Sequence, residues 1–165
     1  MAQITLGGTP TNTSGDLPAI GTELANYQFT QQDMAPLSIG SLQGKKVVLN
    51  IFPSIDTGVC ATSVRTFNQR AASLDNTTVV CVSKDLPFAL ARFCGAEGIE
   101  NVSVTTDFRV PEFAKDNGLL ITDGAFAGLD ARAIIVLDES GKVAYTELVP
   151  EVGQEPNYDA AIAAL

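Results

Sequence analysis

Phe52-Pro53-Ser54-Ile55-Asp56-Thr57-Gly58-Val59-Cys60 is the stretch on which the reading of this chain turns. It follows Val47-Val48-Leu49-Asn50-Ile51-Phe52, an apolar run with the length and composition of a buried strand. It precedes a segment in which Val64, Phe67, Ala71 and Leu74 recur at spacings of three and four, the period of a helix over about 60–74. Pro53, Asp56 and Gly58 break the strand and let the chain turn. Cys60 therefore falls in or just before a first helical turn. Free backbone N–H groups and the positive end of the helix dipole favour an anion there. A thiolate is such an anion, and helix N-termini lower cysteine pKa values.

Working outward, Asp75-Asn76 turns the chain into Thr77-Thr78-Val79-Val80-Cys81-Val82, a second buried strand. Asp85 is placed to cap a second helix, with Pro87 in its first turn and Leu86, Leu90 and Phe93 on one face. Gly95 fits the position after that helix, which puts Cys94 in a last turn, where the dipole disfavours a thiolate. A short strand at Asn101–Thr105 and a short helix at Pro111–Asn117 follow. Residues 118–130 are a Gly-rich apolar loop. Ala131–Leu137 is a strong strand, Asp138-Glu139-Ser140-Gly141 a hairpin turn, and Lys142–Val149 its partner. A final helix begins near Pro156, with Tyr158, Ile162 and Leu165 on one face. Before all this, Gln3–Leu6 and Tyr27–Thr30 read as short strands in a Gly- and Pro-punctuated region. The order β-α-β-α-β-(α)-β-β-α predicts one α/β domain over residues 1–165, a mixed central sheet with helices on both faces, as in thioredoxin-like folds. Open sheets of this kind place their sites at the turn after a core strand, where Cys60 lies.

Composition narrows the functions. Ten basic and nineteen acidic residues give a net charge of −9, which argues against nucleic-acid binding and against attraction to anionic membranes. No apolar run approaches the length of a membrane span. Met1–Gly8 has neither a basic nor an apolar signal region, so the expected location is the cytoplasm. The chain has three cysteines and no histidine. Cys–His and Ser–His–Asp catalysis are thereby excluded, as is any histidine-containing zinc site. Three scattered cysteines without a C-x-x-C pair make a poor metal site. A reactive cysteine here has to be activated by backbone dipoles, hydroxyls and cations.

Pro53, Thr57 and Cys60 form a P-x-x-x-T-x-x-C motif, which resembles the signature of the peroxiredoxins. The longer string from Leu49 to Arg65 resembles one branch of them, the bacterial thiol peroxidases, which are atypical two-cysteine peroxiredoxins. Arg92-Phe93-Cys94-Gly95-Ala96-Glu97-Gly98 is similar to that branch's resolving-cysteine segment, and Gly128-Leu129-Asp130-Ala131-Arg132-Ala133 to its arginine segment. The resemblance runs over nearly the whole chain and implies a peroxiredoxin fold with an N-terminal β-hairpin extension. It implies a thiol-specific antioxidant peroxidase that reduces hydrogen peroxide and organic hydroperoxides, with no cofactor and no metal. Cys60 would be the peroxidatic cysteine, oxidised to a sulfenic acid. Cys94 would resolve it as an intramolecular Cys60–Cys94 disulfide, and thioredoxin would reduce that disulfide. A homodimer is implied as well, with its two-fold interface near the Cys60 turn.

These roles have a physical warrant beside the resemblance. Thr57, three residues before Cys60, can accept a hydrogen bond from a peroxide and donate one to the thiolate. Arg132 supplies a positive charge that cannot be lost. Pro53 shields the thiolate without adding a donor.

Plainer readings stand beside them. Thr57 can be simply a helix cap, Arg132 an ordinary surface ion pair, and Cys81, between Val80 and Val82, a buried hydrophobe. Arg92 and Arg109 read as surface or ion-pair residues. Phe126 and Leu129 either belong to a plain connection or line a pocket for alkyl hydroperoxides. The competing functions are a thiol–disulfide oxidoreductase, which lacks its C-x-x-C here, and a non-catalytic redox-sensing module. Cys60 starts one helix and Cys94 ends another, so a disulfide between them is expected to require local unwinding.

Overall fold

A computed structural model describes residues 2–165. An N-terminal hairpin, β1 (Gln3–Leu6) and β2 (Thr9–Asn12), precedes the domain. The central sheet is built from β3 (Gln28–Gln31), β4 (Pro36–Ser38), β5 (Lys46–Ile51), β6 (Thr77–Ser83), β7 (Ser103–Thr106), β8 (Ala133–Leu137) and β9 (Val143–Leu148). Its seven strands lie in the order β4-β3-β7-β6-β5-β8-β9. Strands β5, β6 and β7 are parallel, and the flanking pairs are antiparallel. Four helices complete the domain: α1 (Gly58–Ala71), α2 (Pro87–Glu97), α3 (Glu112–Asp116) and α4 (Tyr158–Ala163).

Strand β5 shows why helices cover both faces. Val47, Leu49 and Ile51 pack with Phe29, Phe113 of α3 and Leu119 on one side. Val48 points the other way, to Phe67 of α1 and Ala161 of α4. Side chains alternate with period two along a strand, so a continuous apolar run feeds two cores at once. Burying each large side chain contributes about 1.5–3 kcal/mol, which makes β5 a principal anchor of the fold.

The topology also gathers chain segments that are remote in sequence. The C-terminal ends of parallel β5, β6 and β7 share one edge of the sheet. Antiparallel β8 starts at that edge, and β9 ends there, with Ala133 opposite Leu148. Residues 52–57, 84–85, 107, 130–132 and 149–153 therefore converge. The loop before β8 depends on Gly118, at φ +70°, where a Cβ would lie 2.4 Å from the Asp16 carbonyl oxygen.

Three local expectations fail. The second helix continues through Gly95 to Glu97, and the left-handed residue that ends it is Gly98, at φ +64°. Its N-cap is Leu86, which is half exposed and does not share the buried face of Leu90 and Phe93. Asp85 does not cap the helix, because its carboxylate is engaged elsewhere, as described below. Among the described residues no helix is long and apolar enough to cross a membrane.

Candidate active site

The turn after β5 is held at three levels. Phe52 N–H extends the ladder to the Val82 carbonyl at 3.1 Å, and Pro53, with no N–H, ends it. The Ser54 carbonyl then accepts from Thr57 N–H at 3.1 Å and from the Thr57 hydroxyl at 2.9 Å. Asp85, on the end of β6, accepts from Ser54 Oγ, Ile55 N–H and Ser83 Oγ, each at 2.7 Å. Asp85 thus latches the turn instead of capping α2. An acid at the end of a core strand was visible in the sequence, but its partner 31 residues upstream was not.

Thr57 is the N-cap of α1, with φ −103° and ψ 145°, and Cys60 is the third helical residue. Its N–H belongs to the first-turn donors that lack intrahelical partners. The Thr57 side chain makes no capping hydrogen bond. Its hydroxyl hydrogen goes to Ser54, so the oxygen has lone pairs free and no proton directed at sulfur. The expected donation from Thr57 to the Cys60 sulfur is absent from this arrangement, and an accepting role is what the geometry offers.

Cys60 is fully buried, and Arg132 is 2% exposed. Arg132 is therefore no surface ion pair. It lies one residue before β8, and its Nη2 donates to Cys60 Sγ at 3.3 Å across 72 residues of sequence. Its Nε donates to the Val152 carbonyl at 2.7 Å, which fixes the plane of the guanidinium. Its Nη1 has no partner among the described residues. A buried donor without an acceptor carries a desolvation penalty of about 1–3 kcal/mol, which an arriving acceptor would relieve. The Val152 carbonyl is itself held in place: Val152 N–H donates to Thr5 O at 2.9 Å. Next to it, the Glu151 carboxylate accepts from the N–H groups of Gly7, Gly8 and Gly153 and from the Thr5 hydroxyl. Those bonds hold its carboxyl down at about 2. The N-terminal hairpin is thus part of the scaffold behind Arg132. The sequence reading missed Glu151 and Val152, which lack any local motif.

Above this centre a cleft of about 150 Å³ is lined by Leu6, Pro53, Thr57, Phe126, Arg132 and Val152, among others. Phe126 belongs to it, and Leu129 does not. The lining is mostly apolar, with Thr57 and Arg132 the polar groups that converge on it.

Cys94 sits in the last turn of α2, 5% exposed. Burial pushes its thiol up to about 11, and no hydrogen-bond donor serves it. Cys81 is fully buried mid-strand, its thiol pushed up to about 12 by burial, with Asn50 Nδ2 3.7 Å away. All three cysteines are free and belong to one apolar cluster. Helices α1 and α2 are tied on their outer sides. Arg65 Nη2 pairs with Glu97 at 2.9 Å and stacks over Phe93, Arg92 pairs with Asp56, and Asn68 accepts from the N–H groups of Glu100 and Asn101. Arg92 is exposed and ion-paired, as expected, and it bridges α2 to the turn that carries Cys60.

The Redoxin family matches residues 13–162 of this chain. A thiol peroxidase of Corynebacterium glutamicum is 57% identical over 165 residues, covering all of this chain and 99% of that one. A thiol peroxidase of Mycobacterium tuberculosis is 59% identical over the same length, again with 99% of its chain covered. Among solved structures, a peroxiredoxin-like protein from Aquifex aeolicus superposes with a TM-score of 0.93 at 37% identity, covering 99% of this chain and 95% of that one. A thiol peroxidase from Chromobacterium violaceum, at 22% identity and a TM-score of 0.88 over 96% of this chain and 91% of that one, shares the fold.

Proposed function

Because the chain belongs to the Redoxin family, we propose that it is a thiol-dependent peroxidase in which Cys60 reduces hydroperoxides and Cys94 resolves the product. The observation that carries this reading is the Arg132 Nη2 contact to Cys60 Sγ at 3.3 Å, shielded from solvent beside an apolar cleft.

The Cys60 thiolate attacks one oxygen of the hydroperoxide, and the O–O bond breaks. The alcohol or water leaves with the peroxide's proton on it, and Cys60 becomes a sulfenate, which takes a proton from solvent to give the sulfenic acid. Arg132 stabilises the thiolate through Nη2 and offers the unpartnered Nη1 to the peroxide oxygen on which charge develops. Thr57 accepts the peroxide O–H, because its own hydrogen is committed to Ser54. Pro53 and Phe126 keep water out and leave room for an alkyl group. The Cys94 thiol then attacks the Cys60 sulfenic sulfur, a disulfide forms and water leaves. A dithiol reductant, thioredoxin, returns both thiols.

Local unwinding serves the second step twice. It brings the sulfurs together, and it exposes Cys94 to water, which removes the burial that suppresses its thiolate. Three cysteines without a paired framework make no disulfide scaffold, which supports a reducing, cytoplasmic setting. Phe88 is 74% exposed and Leu86 54% exposed beside the Asp85 latch, an apolar patch that supports a homodimer interface near the Cys60 turn.

The test is a thiol count after one equivalent of cumene hydroperoxide, with alkylation under denaturing conditions and peptide mapping. Loss of two of the three thiols, a Cys60–Cys94 peptide and an alkylated Cys81 are expected. A sulfenic or sulfinic Cys60 with Cys94 still free would replace this scheme by a one-cysteine mechanism. NADPH consumption with thioredoxin and its reductase separates sustained turnover from stoichiometric sensing. Light scattering of the wild type against Phe88→Glu reads the dimer.

A further inference from the structure

A second buried polar cluster lies on the same edge of the sheet. Lys84 follows β6, Asp107 follows β7 and Asp130 lies just before β8. Lys84 Nζ is 2.7 Å from Asp107 Oδ2 and 3.1 Å from Asp130 Oδ1. Both carboxyl groups are wholly shielded from solvent, and the lysine side chain is 17% exposed. Among the described residues Asp107 Oδ1 and Asp130 Oδ2 have no hydrogen-bond partner, and Asp130 Oδ1 has only the Lys84 ammonium.

The charge count does not close with every group ionised. One ammonium compensates one carboxylate, and a second buried carboxylate would stand alone. Proteins avoid an isolated buried charge by neutralising the group. Two carboxyls in one site do not ionise independently, and the second ionisation is opposed by the first. Here the two carboxyls reach the same Lys84 ammonium, so one proton between them neutralises the excess charge and gives an orphaned oxygen a donor. Asp130 is the better holder. Burial first, and then the Asp107 charge, push its carboxyl well above the ordinary range, against the pull of Lys84. Asp107 is raised by burial as well, but Lys84 and Asp130 lower it.

The cluster touches both halves of the catalytic centre through the backbone. Lys84 is followed by Asp85, which latches Ser54 and Ile55, and Asp107 N–H donates to the Ser83 carbonyl at 3.1 Å. Asp130 bridges to Leu120, Ala131 N–H donates to Leu119 O at 2.7 Å, and Arg132 follows. We propose that Lys84, Asp107 and Asp130 share one acid proton between the two carboxyls and act as positioning residues, holding the Asp85 latch and the Arg132 segment at a fixed spacing. The kinetic consequence rests on the peroxidase reading above; the shared proton does not.

The folded state holds the Asp130 proton more tightly than the unfolded chain does. The stability it contributes is therefore present at low pH and lost as pH rises through the raised value. Loss of the proton leaves two carboxylates and one ammonium, and the strand ends are pushed apart.

The experiment uses the reduced full-length chain. Infrared spectra with ¹³C-labelled aspartate carboxyls are read against pH, beside the stopped-flow rate of Cys60 oxidation by hydrogen peroxide. At neutral pH the wild type is expected to show a carboxylic-acid carbonyl band that Asp130→Asn lacks. The wild-type rate is expected to fall about tenfold at alkaline pH, the size of effect that a sub-ångström misplacement produces. Asp130→Asn retains a neutral donor, so its rate stays within about twofold of wild type at neutral pH and shows no such limb. Absence of the acid band would overturn the shared proton. A band together with superimposable wild-type and Asp130→Asn pH profiles would overturn the positioning role. A wild type that does not react with peroxide would overturn the peroxidase reading and the positioning role together, while the band would still decide the proton.

Discussion

Cys60 and Cys94 share one apolar cluster and nearly the same burial, yet their surroundings differ in kind. Cys60 opens a helix, faces a guanidinium at 3.3 Å and lies under first-turn N–H groups. Cys94 closes a helix, faces no donor, and its thiol is pushed up to about 11. At neutral pH such a thiol is ionised to about one part in ten thousand. Burial alone makes a cysteine inert, as at Cys81. What separates the two sulfurs is which end of a helix each occupies and whether a fixed cation reaches it. On the proposed mechanism the folded state therefore favours the first chemical step and holds back the second until α2 opens.

The comparison breaks most sharply under serine substitution. Cys60→Ser should lower peroxide consumption by about 10⁴-fold or more, as loss of a nucleophile does. Cys94→Ser should leave the stopped-flow rate of Cys60 oxidation unchanged and abolish turnover with thioredoxin. An equal slowing of the first step in both variants would erase the distinction. Next in size, Arg132→Met should slow Cys60 oxidation by about 10²–10³-fold, the range for removing a donor from developing charge. Resolution by Cys94, measured after oxidation, should be little affected.

Smaller effects sharpen the picture at the outer face. Arg65→Ala removes the tie to Glu97 and the stacking on Phe93. Resolution should quicken by about twofold, since exposed ion pairs are weak, while the first step stays put. A slower resolution would mean that the tie aligns the helices and does not restrain them. The smallest effect is at acid pH. The folded Glu151 carboxyl is held at about 2 against an ordinary 4.5, so its stabilisation is present above pH 4.5 and is lost as pH falls toward 2. Denaturation midpoints across that window should show a slope in wild type that is reduced in Glu151→Gln.

Much of the Cys60 half was legible in the chain itself. The apolar run, the Pro53 and Gly58 breaks and the spacing from Val64 to Leu74 are local signals, and they put Cys60 in a first turn without reference to anything distant. Local signals misled at Asp85 and Gly95. Each fits a capping rule, but other groups took both roles: Ser54 and Ile55 claimed the Asp85 carboxylate, and α2 ends at left-handed Gly98, where Ile99 N–H donates to the Cys94 carbonyl and Ile99 packs into the cluster. The missing histidine and the three cysteines already required a sulfur activated by backbone, hydroxyl and cation. Which cation does so is a different kind of fact. Arg132 reaches Cys60 because antiparallel β8 begins at the edge where parallel β5 ends, and Val152 reaches Arg132 because β9 returns there. The hairpin behind Glu151 and the Lys84–Asp107–Asp130 cluster arise from the same convergence of strand ends. Periodicity and turn chemistry act over a few residues, so the sequence by itself determined the elements and the nucleophile's seat. Strand order joins segments across the whole chain, so only the tertiary structure decided which charges meet that nucleophile.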